Sequence, residues 1–357
     1  SGLSMPAKGN AMTQPVLHID LDAIANNWRA LGARMAPGVE VGAVVKANAY
    51  GLGAARIAPA LYKAGARNFF VVFAQEAAEL APHLPDDAKI WLFSGYMKGD
   101  RDAVAASKAR PLLNSPAQLA AYRADFPDGI YGFDIDTGMA RLGFEAQALA
   151  SLAFTFPAVR PALLTTHLAC SDTPAHPMNA AQLATFTMLT AALPMVKKSL
   201  AASAGMMMGP AYHFNLTRPG IALYTGAFEG GTMPVRADLP VIQIRQLMPG
   251  QTVGYGATWT AKRPSRIATV AGGYADGIFR NLAGINVFQG ETPCPVIGRV
   301  SMDMIGVDIT DLPSPPEWLT LIGPQQHPQV LADAAGTISY EILTALGARY
   351  NRVYTGG

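Results

Sequence analysis

The sequence predicts an α/β chain: an N-terminal (β/α)8, TIM-like barrel followed by a smaller, mainly β C-terminal domain. Three observations carry this. From residue 41 to about 204, short β-rich runs alternate with longer helical segments, as βα units around a parallel sheet require. Near residue 230 the Gly/Pro-rich stretch "FEGGTMPVRADLP" breaks that rhythm. The turn after the first run, "KANAYGLG", lacks the GxGxxG spacing that a dinucleotide-binding open sheet would need. At 357 residues, two domains account for the chain.

The elements follow in order. Residues 1–15, "SGLSMPAKGNAMTQP", have no apolar signal core and read as a disordered lead-in or an expression scar. The barrel domain is expected over 16–230, with strands in "VGAVVK", "NFFVVF", "KIWLF", "RPLLN", "YGFDID", "PALLTTHL" and "SLAASA". Helical patterns fall between them, among them "GAARIAPALYKAGA", "SPAQLAAYRADF" and "MNAAQLATFTMLTAAL"; Ser115 before Pro116 has the form of an N-cap followed by a first-turn proline. Over 231–357, runs such as "PVIQIRQL", "SRIATVAGG", "INVF" and "EWLTLIG" predict the β domain, with a closing helix in "ISYEILTALGAR".

Composition narrows the function. Half of the residues are hydrophobic, 15% are charged and the formal net charge is +2, with the basic residues scattered. Such a chain lacks the electrostatic footprint of a nucleic-acid or membrane-surface binder, and no apolar run approaches the ~18 residues of a membrane span. A small-molecule partner is expected. Cys170 and Cys294 lie outside any CxxC or Cys/His ligand spacing, so no metal site is expected and a reducing, cytoplasmic setting needs the fewest assumptions.

Chemistry first shows at "VVKANAYGLG", where Lys46 closes an apolar run. At the C-terminal end of a barrel strand it would face the mouth, where chemistry is done. A lysine leaving an apolar strand for a partly dry pocket loses its proton more readily, which suits Schiff-base formation; the alternative from position alone is a lysine that snorkels to solvent. Seven motifs occur in order: "KANAYG", "DTGMARLGF", "THLACSD", "TRPGIALYTG", "VGYGATW", "GGYADG" and "GRVSMDM". Together they make the chain closely resemble the alanine racemases, pyridoxal-phosphate enzymes with a barrel and a β domain. The resemblance runs from about residue 16 nearly to the end.

That resemblance implies roles. Lys46 would bind pyridoxal 5'-phosphate as a Schiff base and then serve as acid/base on one face of the substrate's Cα, and Tyr255 of "VGYGATW" would serve the opposite face. In the family that tyrosine reaches across from the other subunit, so a homodimer with shared active sites is implied. Tyr50, Ser203 and the backbone N–H groups of Gly220 and Ile221 match the family's phosphate cradle; at Ala202 the family usually has an asparagine. Arg218 matches the arginine aimed at the pyridine nitrogen, with His167 supporting it. Arg141 resembles the substrate-carboxylate arginine, and Tyr274 and Met302 match residues that narrow the entrance and contact the substrate. Asp303 is expected to support them. Where many members carry a carbamylated lysine, this chain has Asp134, whose carboxylate is expected to orient Arg141, with a water or ion filling the shorter reach. The function implied is interconversion of L- and D-alanine, supplying D-alanine for peptidoglycan. A broader-specificity amino-acid racemase, a decarboxylase of the same architecture and a non-enzymatic pyridoxal-phosphate-binding protein are the alternatives. An intact "GYGATW" argues against the decarboxylase, and the β domain argues against the binding protein.

Overall fold

The computed structural model describes residues 14–153 and 160–357. All of the expected lead-in except Gln14 and Pro15 lies outside the described residues. The described residues divide into two compact units, one of residues 24–49, 53–153 and 160–231, the other of residues 14–23, 50–52 and 232–357.

The first unit is the barrel. Its strands are β1 (Glu40–Val41), β2 (Ala43–Val44), β3 (Asn68–Val71), β4 (Lys89–Leu92), β5 (Arg110–Leu113), β6 (Gly132–Asp134), β7 (Leu163–Thr165), β8 (Lys197–Ser199) and β9 (Leu216–Thr217). From β2 to β8 each pairs in parallel with the next. The course closes because β9 pairs in parallel with β1 and Arg218 bridges Ala202. Gly42, between β1 and β2, lets one extended run serve both neighbours: a Cβ there would lie 2.8 Å from the Phe70 ring and 3.0 Å from the Asn68 carbonyl oxygen. The sequence reading of "SLAASA" as a strand shifts by a few residues, to β8, and β9 is too short to announce itself by pattern.

Helices α1 (Ala54–Ala64), α2 (Ala74–Leu80), α3 (Arg101–Ser107), α4 (Pro116–Asp125), α5 (Ala146–Ala153), α6 (Pro177–Leu189) and α7 (Ile221–Thr225) intervene. The expected cap at Ser115 is present: its Oγ accepts from Gln118 N at 3.2 Å, with Pro116 opening the helix. Phe69, Phe70, Phe133, Phe144 and Phe186 are fully buried, with the Phe133 and Phe144 rings 4.6 Å apart. At the N-terminal ends of the strands, Trp91 Nε1 donates to Asn68 Oδ1 at 3.0 Å. Asn68 Nδ2 donates to Glu40 Oε2 at 2.9 Å, and Glu40 pairs with Lys197. Four strands are thus tied at the N-terminal end of the barrel, opposite the mouth where chemistry is done.

The second unit is built on an antiparallel sheet whose long strand Val235–Leu247 pairs with Ser265–Ala271 and Trp318–Ile322. The strand Val16–Asp20, which the sequence reading places in the barrel domain, pairs instead antiparallel with Val235–Leu247 and parallel with Asn351–Thr355. Its partners are more than two hundred residues away, beyond the reach of any local pattern.

Candidate active site

Lys46 lies just beyond β2, and the backbone after it does something no local pattern announces. Ala47, Asn48, Ala49 and Tyr50 all have φ between 51° and 56°, a left-handed turn. For residues with a Cβ this conformation costs roughly 1–2 kcal/mol each. Side chains and loops hold it: Ala47 N donates to Glu76 Oε1 at 2.6 Å, Ala49 N to Val45 O at 2.8 Å, and Ala54 N to Asn48 Oδ1 at 2.8 Å. Glu76 is shared, since its Oε2 also accepts from Val72 N and Phe73 N at 2.8 and 3.0 Å. The turn throws the lysine over the Phe93 ring, with Nζ 5.6 Å from the centroid. Burial, with the positive charges of Arg141 and Arg218, pushes the Lys46 amine below its ordinary range, and the Glu76 carboxylate pulls the other way. Such an amine gives up its proton more readily than a solvated lysine, and a nucleophile toward a carbonyl must be neutral.

Arg141 rides on the loop after β6. Phe144 N donates to Asp134 O at 2.8 Å and Asp136 N to Phe144 O at 3.1 Å, so residues 135–144 close on themselves. Asp136 Oδ1 accepts from Gly138 N at 2.9 Å and Ala140 N at 3.1 Å, winding the loop from inside. Gly143, at φ +110°, has no space for a side chain: a Cβ would lie 2.6 Å from Asp136 N. The Arg141 side chain that this loop presents is exposed.

Asp134 has a partner the sequence did not suggest. Its Oδ1 takes a hydrogen bond from Thr165 Oγ1 at 2.7 Å, not from Arg141. Burial raises the carboxyl to about 6, against the pull of the Thr165 bond and of the Arg218 and Arg141 charges, in that order. A cavity of about 20 Å3 is lined by Asp134, Asp136, Arg141, Thr166 and His167, among others. That is room for about one water, the filler expected for a carboxylate with a shorter reach.

Arg218, 2% exposed, is held by carbonyls. Nη1 donates to Ser199 O and Oγ at 2.8 and 2.5 Å, and Nη2 to Thr166 O and Leu200 O at 2.6 and 3.3 Å. Nε takes no part in these bonds and is the donor left to the site. Burial lowers this guanidinium to about 10, with Asp134 opposing, so it stays charged at neutral pH. The His167 imidazole is driven down to about 3 by burial, then by Arg218, Arg141 and Lys46, and is therefore neutral. Ser203 Oγ accepts from Gly220 N at 2.9 Å and Ala222 N at 3.3 Å. The Gly220 N–H, expected among the phosphate donors, is thus committed to the serine at the start of α7, which leaves the Ser203 proton and the Ile221 N–H as the donors there.

In the second unit Tyr50 is 5% exposed, burial raises its phenol, and its ring lies 5.9 Å from that of Tyr340. Tyr274 and Met302 sit on two strapped loops: Tyr274 N donates to Ser301 O and Ala275 N to Met302 O, both at 3.0 Å. Arg349 clamps them, reaching Asp276 at 2.6 and 2.8 Å and Asp303 at 2.7 Å. Tyr255 stands between Gly254 (φ 76°) and Gly256 (φ 72°) and is 72% exposed. It borders a cavity of about 430 Å3 with Val253, Arg299, Ser301 and Met304.

The barrel unit thus gathers Lys46, Arg141, His167, Ser203, Arg218 and Asp134, while Tyr50, Tyr255, Tyr274, Met302 and Asp303 belong to the other unit. Sequence reasoning missed Glu76 and the Arg218 anchors Thr166 and Ser199; an acidic residue in the first turn of α2 reads as an ordinary helix end. Among the described residues no group of three or more His, Cys, Asp or Glu could hold a metal ion, and no helix is long and apolar enough to cross a membrane. The donor set instead fits pyridoxal phosphate: an amine of lowered pKa for its aldehyde, a fixed cation for its ring, and hydroxyl and N–H donors for its phosphate.

Comparison with known proteins agrees. The family model described as alanine racemase, N-terminal domain, matches residues 19–227, and that for the alanine racemase C-terminal domain matches 234–354. An alanine racemase of Cereibacter sphaeroides is 50% identical over 345 residues, covering 96% of this chain and 99% of that protein. A crystal structure of alanine racemase from Bartonella henselae with covalently bound pyridoxal phosphate superposes with a TM-score of 0.90 at 38% identity, covering 96% of this chain and 99% of that one. The biosynthetic alanine racemase from Pseudomonas aeruginosa gives 0.88 at 36% identity, over 97% and 100% of the two chains.

Proposed function

The chain belongs to the alanine racemase family, and from that premise we propose that it interconverts L- and D-alanine with Lys46 and Tyr255 as the two acid/base groups. The single observation that carries the reading is Lys46: an amine at the end of a barrel strand, held over Phe93 by a left-handed turn, whose pKa burial and two arginines lower. Pyridoxal phosphate, when bound, supplies the electron sink that makes the substrate's Cα–H acidic. Lys46 takes or returns the Cα proton on one face. Tyr255 does the same on the other, as a racemisation without a single shared proton requires.

The remaining residues bind and orient. Arg141 takes the alanine carboxylate, with the Met302 backbone N–H and with Tyr274 narrowing the entrance. Arg218, whose Nη atoms are committed to carbonyls, offers Nε to the ring nitrogen. A guanidinium gives up its proton poorly, so it would leave that nitrogen unprotonated and disfavour side reactions that need a stronger sink. His167, neutral, lies beside this arginine. Ser203, Ile221 N–H and Tyr50 hold the phosphate, with Gly220 N–H fixing the serine. The product role is D-alanine for peptidoglycan, in the cytoplasm; Cys170 and Cys294 are both free thiols, which suits a reducing compartment.

Tyr255, so exposed on its turn, acts in the pocket of a second copy, so the working unit is a homodimer. Mixing two inactive proteins tests this. In a heterodimer of Lys46→Ala and Tyr255→Phe chains, one site has both wild-type groups if Tyr255 acts across the interface, and none has both if it acts within its own chain. Re-equilibrated equimolar mixtures should recover about a quarter of wild-type activity, since half of the dimers would be mixed with one good site each. No recovery despite subunit exchange would refute the shared site.

A further inference from the structure

Helix α6 buries Gln182, which is 1% exposed and belongs to none of the groups discussed above. Its side-chain amide is used in full. Nε2 donates to Thr137 Oγ1 at 3.0 Å and to His167 O at 2.9 Å, and Oε1 accepts from Ala169 N at 2.8 Å. Thr137 Oγ1 is in turn 2.8 Å from Thr166 Oγ1. Thr137 belongs to the closed loop that presents Arg141. Thr166, His167 and Ala169 form the segment after β7, whose Thr166 carbonyl also anchors Arg218. One amide therefore spans two loops, and no other residue type has two donors and one acceptor at this reach.

We propose that Gln182 is a positioning residue, locking the Arg141 loop and the His167 loop to each other so that both side chains are fixed before substrate arrives. The inference rests on the roles given above to Arg141 and His167. Its neighbour on the helix, Asn179, is as well buried but binds the carbonyls of Cys170, Thr173 and Pro174, farther along the second loop, and serves as the control.

The test compares Gln182→Met, which keeps length and volume, with Thr137→Val and Asn179→Leu. Amide hydrogen exchange is followed by mass spectrometry alongside kcat and KM for L-alanine in the pyridoxal-phosphate-loaded enzyme. Gln182→Met should raise exchange in both 137–142 and 166–170 by about tenfold and lower kcat/KM by about a hundredfold, the scale of an ångström of misplacement. Thr137→Val should move the same readouts less, and Asn179→Leu should cost stability with kcat/KM near wild type. Unchanged exchange in either segment, or a lower Tm with wild-type kcat/KM in Gln182→Met, would overturn the proposal. Should Gln182→Met fail to fold, Thr137→Val decides, because it removes the Thr137 hydroxyl's bonds to Gln182 and Thr166 and leaves the amide in place. A wild-type protein that does not racemise alanine would sink the functional reading instead, while the exchange data would still judge the locking of the loops.

Discussion

Glu76→Gln isolates what holds Lys46. The carboxylate receives three backbone N–H groups, one from Ala47 on the left-handed turn and two, Val72 and Phe73, that cap α2. Glutamine keeps one oxygen, so it can satisfy the turn or the cap but not both, and its NH2 then faces an N–H donor. A hydrogen bond to a charged group is worth about 1.5–3 kcal/mol, and rehydration at this half-buried site recovers part of it, leaving a cost of about 2 kcal/mol. For a unit of this size Tm should fall by about 4–8 °C. The charge has a separate signature. Glu76 holds the Lys46 amine up against burial and the two arginines, so its removal lets the amine titrate lower still. Because the neutral amine attacks the aldehyde, the rise with pH in the rate at which stripped protein takes up pyridoxal phosphate should move to lower pH. Stopped-flow absorbance across a pH series measures it. A midpoint that stays put or moves up, or an unchanged Tm, would refute the idea that Glu76 both braces the turn and faces the lysine.

Three other outcomes follow from the same structure. The raised Asp134 carboxyl, about 6 against an ordinary 3.8, means that the folded chain keeps a proton between pH 4 and 6 that the unfolded chain releases. Its stabilising share is present below pH 4 and lost as pH rises through 6, at most about 3 kcal/mol, and denaturant titrations should show that slope flattened in Asp134→Asn. Gly143→Ala should cost about 2–3 kcal/mol through its clash with Asp136 N and its φ of +110°, and should raise KM for alanine by displacing Arg141; an unaltered KM would separate the loop from substrate binding. Tyr255→Phe, at an exposed turn, should leave Tm within about a degree while abolishing most of kcat, and a large loss of stability would point to a structural tyrosine instead.

The parts legible in the sequence are those with local physical causes. The barrel strands β3 to β7 sit inside apolar runs bounded by turn residues, and the cap at Ser115 with Pro116 is a three-residue signal. The strand Val16–Asp20 and the closing β9 were out of reach because their pairing partners are distant. The left-handed turn hides for a different reason: two of its residues are alanines, which disfavour it, and Glu76, which supports it, is 29 residues from Ala47. Lys46, Arg141, His167 and Arg218 were named from their motifs and, with Ser203, lie in one unit. The bond of Asp134 to Thr165 was not, since cross-strand neighbours in a parallel barrel are about thirty residues apart and leave no spacing to read. Gln182 reads as one more polar residue on a helix; only its burial reveals it.

The central claim is that two groups, Lys46 and Tyr255, each handle one face of the substrate's Cα. Incubating L- and D-alanine separately in deuterated water with wild type, Lys46→Ala and Tyr255→Phe, and following chirality together with Cα deuterium, tests it most directly. Wild type should convert either enantiomer with deuterium entering the product. Each variant should lose racemisation yet keep slow deuterium exchange into one enantiomer, and the two variants should keep opposite ones. Exchange into the same enantiomer in both variants, or full racemisation in either, would contradict the account.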